Sequence, residues 1–167
     1  LVSQRLRRPF RDSDAEIEAK TGKTVPEIFG ERGEAAFRAE EKMVLAAALC
    51  CDVPSVIAVA GGAVLDPESR RRIRRGGVVI WLRAAPETLA ERVGAGRGRP
   101  LLEHDPVAML RHLDALRRPV YAGIADGIVD VDGMMPVGNA ERVARLARNL
   151  LGNSSIRCTD DPSRTAT

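Results

Sequence analysis

Val56-Ile-Ala-Val-Ala60 runs straight into Gly61-Gly62, and that junction limits the available folds more than any other stretch of the chain. Five consecutive apolar residues offer no polar side to water. They read as a central strand buried on both faces, which belongs to a parallel sheet covered by helices, and the glycine pair ends it in a tight turn. Gly77-Val-Val-Ile-Trp-Leu82 is a second run of this kind, Ile128 to Val131 a short third, and Phe10 to Asp14 reads as the end of another strand.

Helical patterns separate these strands. Thr24-Val-Pro-Glu27 has the form of a capping box and opens a short helix that carries Ile28 and Phe29 and stops near Gly33. From Glu34 to Cys51 the residues Phe37, Val44, Leu45 and Ala48 recur at helical spacing, with Arg38 and Glu41 flanking the apolar face. Asp66-Pro67 starts a helix that Gly76 closes, Pro86 to Val93 is another, and Asp105-Pro106 caps one carrying Leu110, Leu113 and Leu116. The last runs from Asn139 to Leu151 with Val143, Leu146, Leu150 and Leu151 inward and ends at Gly152. Leu1 to Arg8 reads as the final turns of a helix ended by Pro9. Strands alternating with helices along a single chain predict a three-layer α/β domain with a central parallel sheet. The domain is expected over residues 1–151, with a polar tail or linker over 152–167.

Composition narrows the function classes. Hydrophobic residues make up 44% of the 167 and charged residues 29%, and no apolar run approaches the ~18 residues of a membrane span. Lys20, Lys23 and Lys42 are the only lysines, so the positive charge is nearly all arginine, whose planar fork suits carboxylates and phosphates. Interspersed acidic residues and few aromatics argue against nucleic acid. Cys50, Cys51 and Cys158 lack metal-ligand spacing, and His104 and His112 stand eight residues apart without a companion pattern. Free thiols in a reducing, cytoplasmic compartment are expected.

The chemistry-bearing residues come in short groups. Asp12 and Asp14 lie two apart at the expected strand end, where open parallel sheets bind ligands, so one can face a metal and the other a substrate; the alternative is that Asp12-Ser-Asp14 caps the next helix. Arg38 and Glu41 are three apart on a helix, which lets the carboxylate orient the guanidinium, although a solvated ion pair has the same spacing. Gly94-Ala-Gly-Arg-Gly-Arg99 has the make-up of a mobile lid, over about 94–105, and delivers Arg99 next to the stiffening Pro100.

Taken in order, Asp12-Ser-Asp14, Ile28-Phe29, Gly33-Glu34, Phe37-Arg38 with Glu41, Gly61-Gly62-Ala63-Val64, Arg99-Pro-Leu-Leu102 and Arg117-Arg-Pro-Val-Tyr121 resemble the shikimate kinase family over Leu1 to Leu151. The resemblance implies a nucleoside monophosphate kinase-like fold and a monomer. It implies transfer of the ATP γ-phosphoryl group to the shikimate 3-hydroxyl, with Mg2+, in aromatic amino acid biosynthesis. It assigns Asp12 to magnesium through water, and Asp14 to the ring hydroxyls and the proton. Arg38, oriented by Glu41, and Arg117 take the carboxylate, with Gly61 and Gly62 approaching the ring. Arg92, Arg99 and Arg142 go to the nucleotide, Arg99 catalytically. A kinase of another polyol acid such as gluconate, or a non-catalytic relative that only binds, are the alternatives. Two departures stand out. Ala60 replaces a usual glycine, at a cost of about 1 kcal/mol if that position needs a positive φ. No G-x-x-x-x-G-K-[ST] phosphate loop occurs in the 167 residues, which start inside an element without Met and so read as a fragment expected to lack activity alone.

Overall fold

The strands pair in parallel, as buried apolar runs require, and they pair two by two. The computed structural model describes residues 1–93 and 105–154. In it, β1 (Phe10–Asp12) lies beside β2 (Val56–Ala58), with Phe10 opposite Val56 and Asp12 opposite Ala58. β3 (Ile80–Arg83) lies beside β4 (Gly127–Asp130), with Trp81 opposite Ile128. Each described strand therefore has one hydrogen-bonded neighbour. None is enclosed on both faces throughout: β2 is half-buried, and Leu82 in β3 is 54% exposed.

Seven helices among the described residues pack around these pairs: α1 (Val2–Leu6), α2 (Ser13–Thr21), α3 (Val25–Leu49), α4 (Pro67–Gly76), α5 (Pro86–Val93), α6 (Pro106–Ile124) and α7 (Pro136–Ser154). A 3-10 turn over Ala63–Leu65 precedes α4. The expected N-caps hold, since the Asp66 carboxylate accepts the Ser69 N–H at 2.7 Å and that of Asp105 the Ala108 N–H at 2.9 Å. The Thr24 N–H donates to Glu27 Oε2 at 2.7 Å, and the anticipated capping box is present.

Two expectations change. β1 stops at Asp12 and the chain turns at once into α2, because Asp12 Oδ1 accepts the N–H groups of Asp14 at 3.1 Å and Ala15 at 3.4 Å. The capping alternative for Asp12-Ser-Asp14 thus holds for Asp12, and Asp14 sits in a helical first turn and not on a strand. The break foreseen near Gly33 holds: within α3 two helical stretches meet at Gly33, whose φ 77 and ψ 170 are non-helical values that glycine adopts without a Cβ clash. α7 starts before Asn139 and passes Gly152 to Ser154; the remaining tail residues, 155–167, lie outside the described residues.

The interior is divided. Ile17, Ile28, Phe37 and Val44 join α2 to α3; Leu45, Ala63, Val64 and Ile73 join α3 to α4; Ala84, Val129, Val131 and Val143 join the β3–β4 pair to α7. Ile17 and Ile28 are fully buried, each contributing roughly 2–3 kcal/mol of hydrophobic stabilisation. The α6 residues Val120, Tyr121 and Ile124 pack on the middle cluster together with Val59, which follows β2, and Val79, which precedes β3.

Candidate active site

The turn after β2 is the centre to which the predicted residues converge. Ala60 N–H donates to the buried Ser13 Oγ at 3.4 Å, which ties the turn to the first residue of α2. One residue on, Gly61 O accepts from the Tyr121 hydroxyl at 3.1 Å. A Cβ on Gly61 would stand 2.6 Å from Tyr121 Oη and 3.2 Å from Arg117 Nη1, and one on Gly62 would stand 2.6 Å from Arg38 Cζ. These two glycines are needed for space, not for conformation: Gly62 has φ −81, and among the described residues the glycines with positive φ are Gly22, Gly33, Gly77 and Gly133. Arg7 is the one described non-glycine residue with positive φ. Ala60 therefore carries none of the conformational cost foreseen for it.

Arg38 comes to the turn from α3, and its partners decide how it is held. Nη1 donates to Glu41 Oε2 and Oε1 at 2.9 and 3.1 Å, while Nε and Nη2 donate to Glu34 Oε1 at 3.3 and 3.1 Å. Glu41 does not merely flank the apolar face: it is 2% exposed. Burial pushes its carboxyl above the usual range, opposed by the hydrogen bonds and charge of Arg38 and reinforced by the charge of Asp14. Burial also works against the Arg38 charge, but Glu41 and Glu34 together hold its guanidinium more firmly protonated than a free arginine. The Arg117 charge is felt at Glu41 as well. Asp14, Arg38, Glu41 and Arg117 are thus brought together beside Gly61 and Gly62, and a cleft of about 420 Å³ opens between α3 and residues 62–69.

Arg117 is half-buried on α6, and its Nε is a buried donor with no hydrogen-bond partner among the described residues. A buried arginine nitrogen in that condition suits an anionic ligand arriving between Arg117 and the turn. Asp12 spends Oδ1 on its cap, and no group of three or more metal-ligating side chains occurs among the described residues. Asp12 keeps Oδ2 outside that cap, an oxygen that suits an ion held through water.

Arg92 and Arg142 do not join this cluster. Arg92 Nη2 donates to Val131 O at 2.6 Å and Arg142 Nη1 to Asp130 O at 2.8 Å, so both fasten the chain leaving β4. Arg99 and the lid over 94–104 lie outside the described residues. Sequence reasoning gave no role to Ser13, Glu34 or Tyr121. Glu34 and Tyr121 had a readable signal, for they stand four residues before Arg38 and four after Arg117, on the same helix faces.

The model of the family described as shikimate kinase matches residues 1–150. The chain belongs to the shikimate kinase family. Among relatives, the shikimate kinase of Pseudomonas syringae pv. tomato is 42% identical over 149 residues, covering 88% of this chain and 86% of that protein. That of Symbiobacterium thermophilum is 50% identical over 129 residues, or 75% and 73%. The solved structure of shikimate kinase from Acinetobacter baumannii in complex with shikimate superposes with a TM-score of 0.78 at 31% identity, over 95% of this chain and 87% of that one. The Aquifex aeolicus enzyme gives 0.75 at 28%, over 93% and 88%. The α/β architecture with parallel strands is accordingly that of the shikimate kinases, although here the described strands fall into two pairs.

Proposed function

We propose that this shikimate kinase family member transfers the γ-phosphoryl group of ATP to the 3-hydroxyl of shikimate, as a monomer in the cytoplasm. The observation that carries the reading is the convergence of Arg38 and Arg117 on the Gly61-Gly62 turn with Asp14 alongside. In this reading Arg38, steadied by Glu41, and Arg117 bind the ring carboxylate, and the bare backbone of the two glycines lets the ring approach. Asp14 orients the reacting hydroxyl and takes its proton as the new oxygen–phosphorus bond forms and the bond to the ADP oxygen breaks. Asp12 would hold a magnesium ion through water, and the ion would supply positive charge against the phosphates. Arg99 supplies a further cation to the transferring phosphoryl group, and Arg92 and Arg142 border the nucleotide at the end of β4. Exposed Cys50 and Cys51 support a reducing compartment.

The test is phosphorus NMR of the reaction with ATP and either shikimate or gluconate. Shikimate 3-phosphate is the expected product, and Asp14→Asn should lower turnover at least about 100-fold, the range of a positioned acid–base group, with its thermal midpoint kept. Faster phosphorylation of gluconate, or tight shikimate binding without transfer, overturns the assignment.

A further inference from the structure

Arg38 carries its donors on three nitrogens, and the two carboxylates that hold them are unequal. The Glu41 side chain is 3% exposed and takes Nη1; the Glu34 side chain is 66% exposed and takes Nε and Nη2 through a single oxygen. The Nε–Nη2 edge is one that a carboxylate can engage with two parallel bonds. The chain's own Glu34 therefore occupies an edge that an incoming ligand carboxylate needs. Glu34 follows Gly33, whose φ of 77 breaks the helical path, and both Glu34 and Arg38 line the 420 Å³ cleft, so the side chain has a backbone bend behind it and room to leave.

We propose that Glu34 is an internal competitor for the carboxylate-binding edge of Arg38, a specificity-determining residue that yields this edge only to a ligand bearing its own carboxylate. The idea rests on the shikimate reading above. A neutral polyol cannot replace the charge of Glu34, so for such a molecule the edge stays closed. Glu41 has the opposite role: it is buried, takes only Nη1, and steadies the guanidinium whichever carboxylate holds the other edge.

Calorimetric titration of shikimate into the protein and its variants tests this. Removing the competitor should tighten binding, in the order wild type, Glu34→Gln, Glu34→Ala, by about two- to fivefold for the alanine variant, the worth of a surface ion pair. The gain should shrink as salt is added, since an exposed pair is screened. Glu41→Gln should weaken binding instead. Equal or weaker binding by Glu34→Ala, with the wild type binding normally, overturns the competitor and makes Glu34 a positioning residue. No binding of shikimate by any of the proteins overturns the substrate reading, and the competitor with it.

Discussion

Glu41 is under two opposing demands, and they give it a pH signature. Its environment lifts the carboxyl pKa, first by burial, so in the window above the ordinary glutamate range the folded chain holds a proton there that the unfolded chain has released. Stability linked to that proton is present below the unfolded value and is lost as pH rises through the folded one. The exposed or shallow carboxylates Glu16, Glu68 and Asp130 shift the other way, each lowered chiefly by hydrogen bonds from an arginine, and contribute stability that is lost as pH falls. A difference measurement cancels them. Urea unfolding of the wild type and Glu41→Gln across this window should show the wild type losing ground to the variant as pH rises; a constant or opposite difference would mean that Glu41 is ionised as readily in the fold as outside it. Such a buried acid was only half legible in the sequence. The spacing of Arg38 and Glu41 announced their pairing, but a helical wheel does not reveal that α2 and the glycine turn close over the carboxylate.

Among the elements, the turn after β2 shows what local pattern can and cannot tell. An apolar run ending in Gly61-Gly62 was enough to locate the strand and its turn, and Asp-Pro pairs correctly opened α4 and α6, because caps and turns are decided by neighbours in sequence. α2 was missed because Asp12-Ser-Asp14 fits both a strand end and a helix start, and only the cap formed by Asp12 decides between them. The reason for the glycines was likewise hidden, since it lies in side chains from α3 and α6. A Gly62→Ala chain should therefore fold, because the colliding Arg38 has a flexible stem, yet bind shikimate roughly tenfold more weakly, the loss of one hydrogen bond to a charged group at about 1.5 kcal/mol. Calorimetry and a melting curve check this together. Undiminished affinity would show that Arg38 need not keep its place against the turn.

Over the whole molecule, the described strands make two sheets with no shared hydrogen bond, and most of the buried apolar residues among those described gather in three clusters. Links across the middle include α6, whose Tyr121 donates to Gly61 O and packs against Trp81 of β3 with ring centroids 5.4 Å apart, and α1, whose Arg5 pairs with Glu141 of α7 at 2.9 Å. Proteins open in cooperative units whose boundaries follow contact density. Native-state hydrogen exchange should accordingly resolve two opening energies, one for amides of β1, β2 and α3 and another for β3, β4 and α7; a single common value would show that α6 welds them into one unit. The parallel pairing was legible from the apolar runs, but the partition into pairs was not, because pairing partners are chosen by non-local contacts.

The position of α6 has a consequence for what the site is made of. Arg38 stands on the helix packed beside the first strand pair, and Arg117 on the helix whose chain runs on into β4 of the second. A ring acid gripped by both would be a stitch across a seam: its two ends would belong to different halves, and the strength of the grip would depend on how far apart those halves drift. Affinity at this site would then gauge the cohesion of the molecule, and a substitution far from either arginine that loosens the seam would surface first as a weaker hold on the small molecule, before any loss of helix or strand.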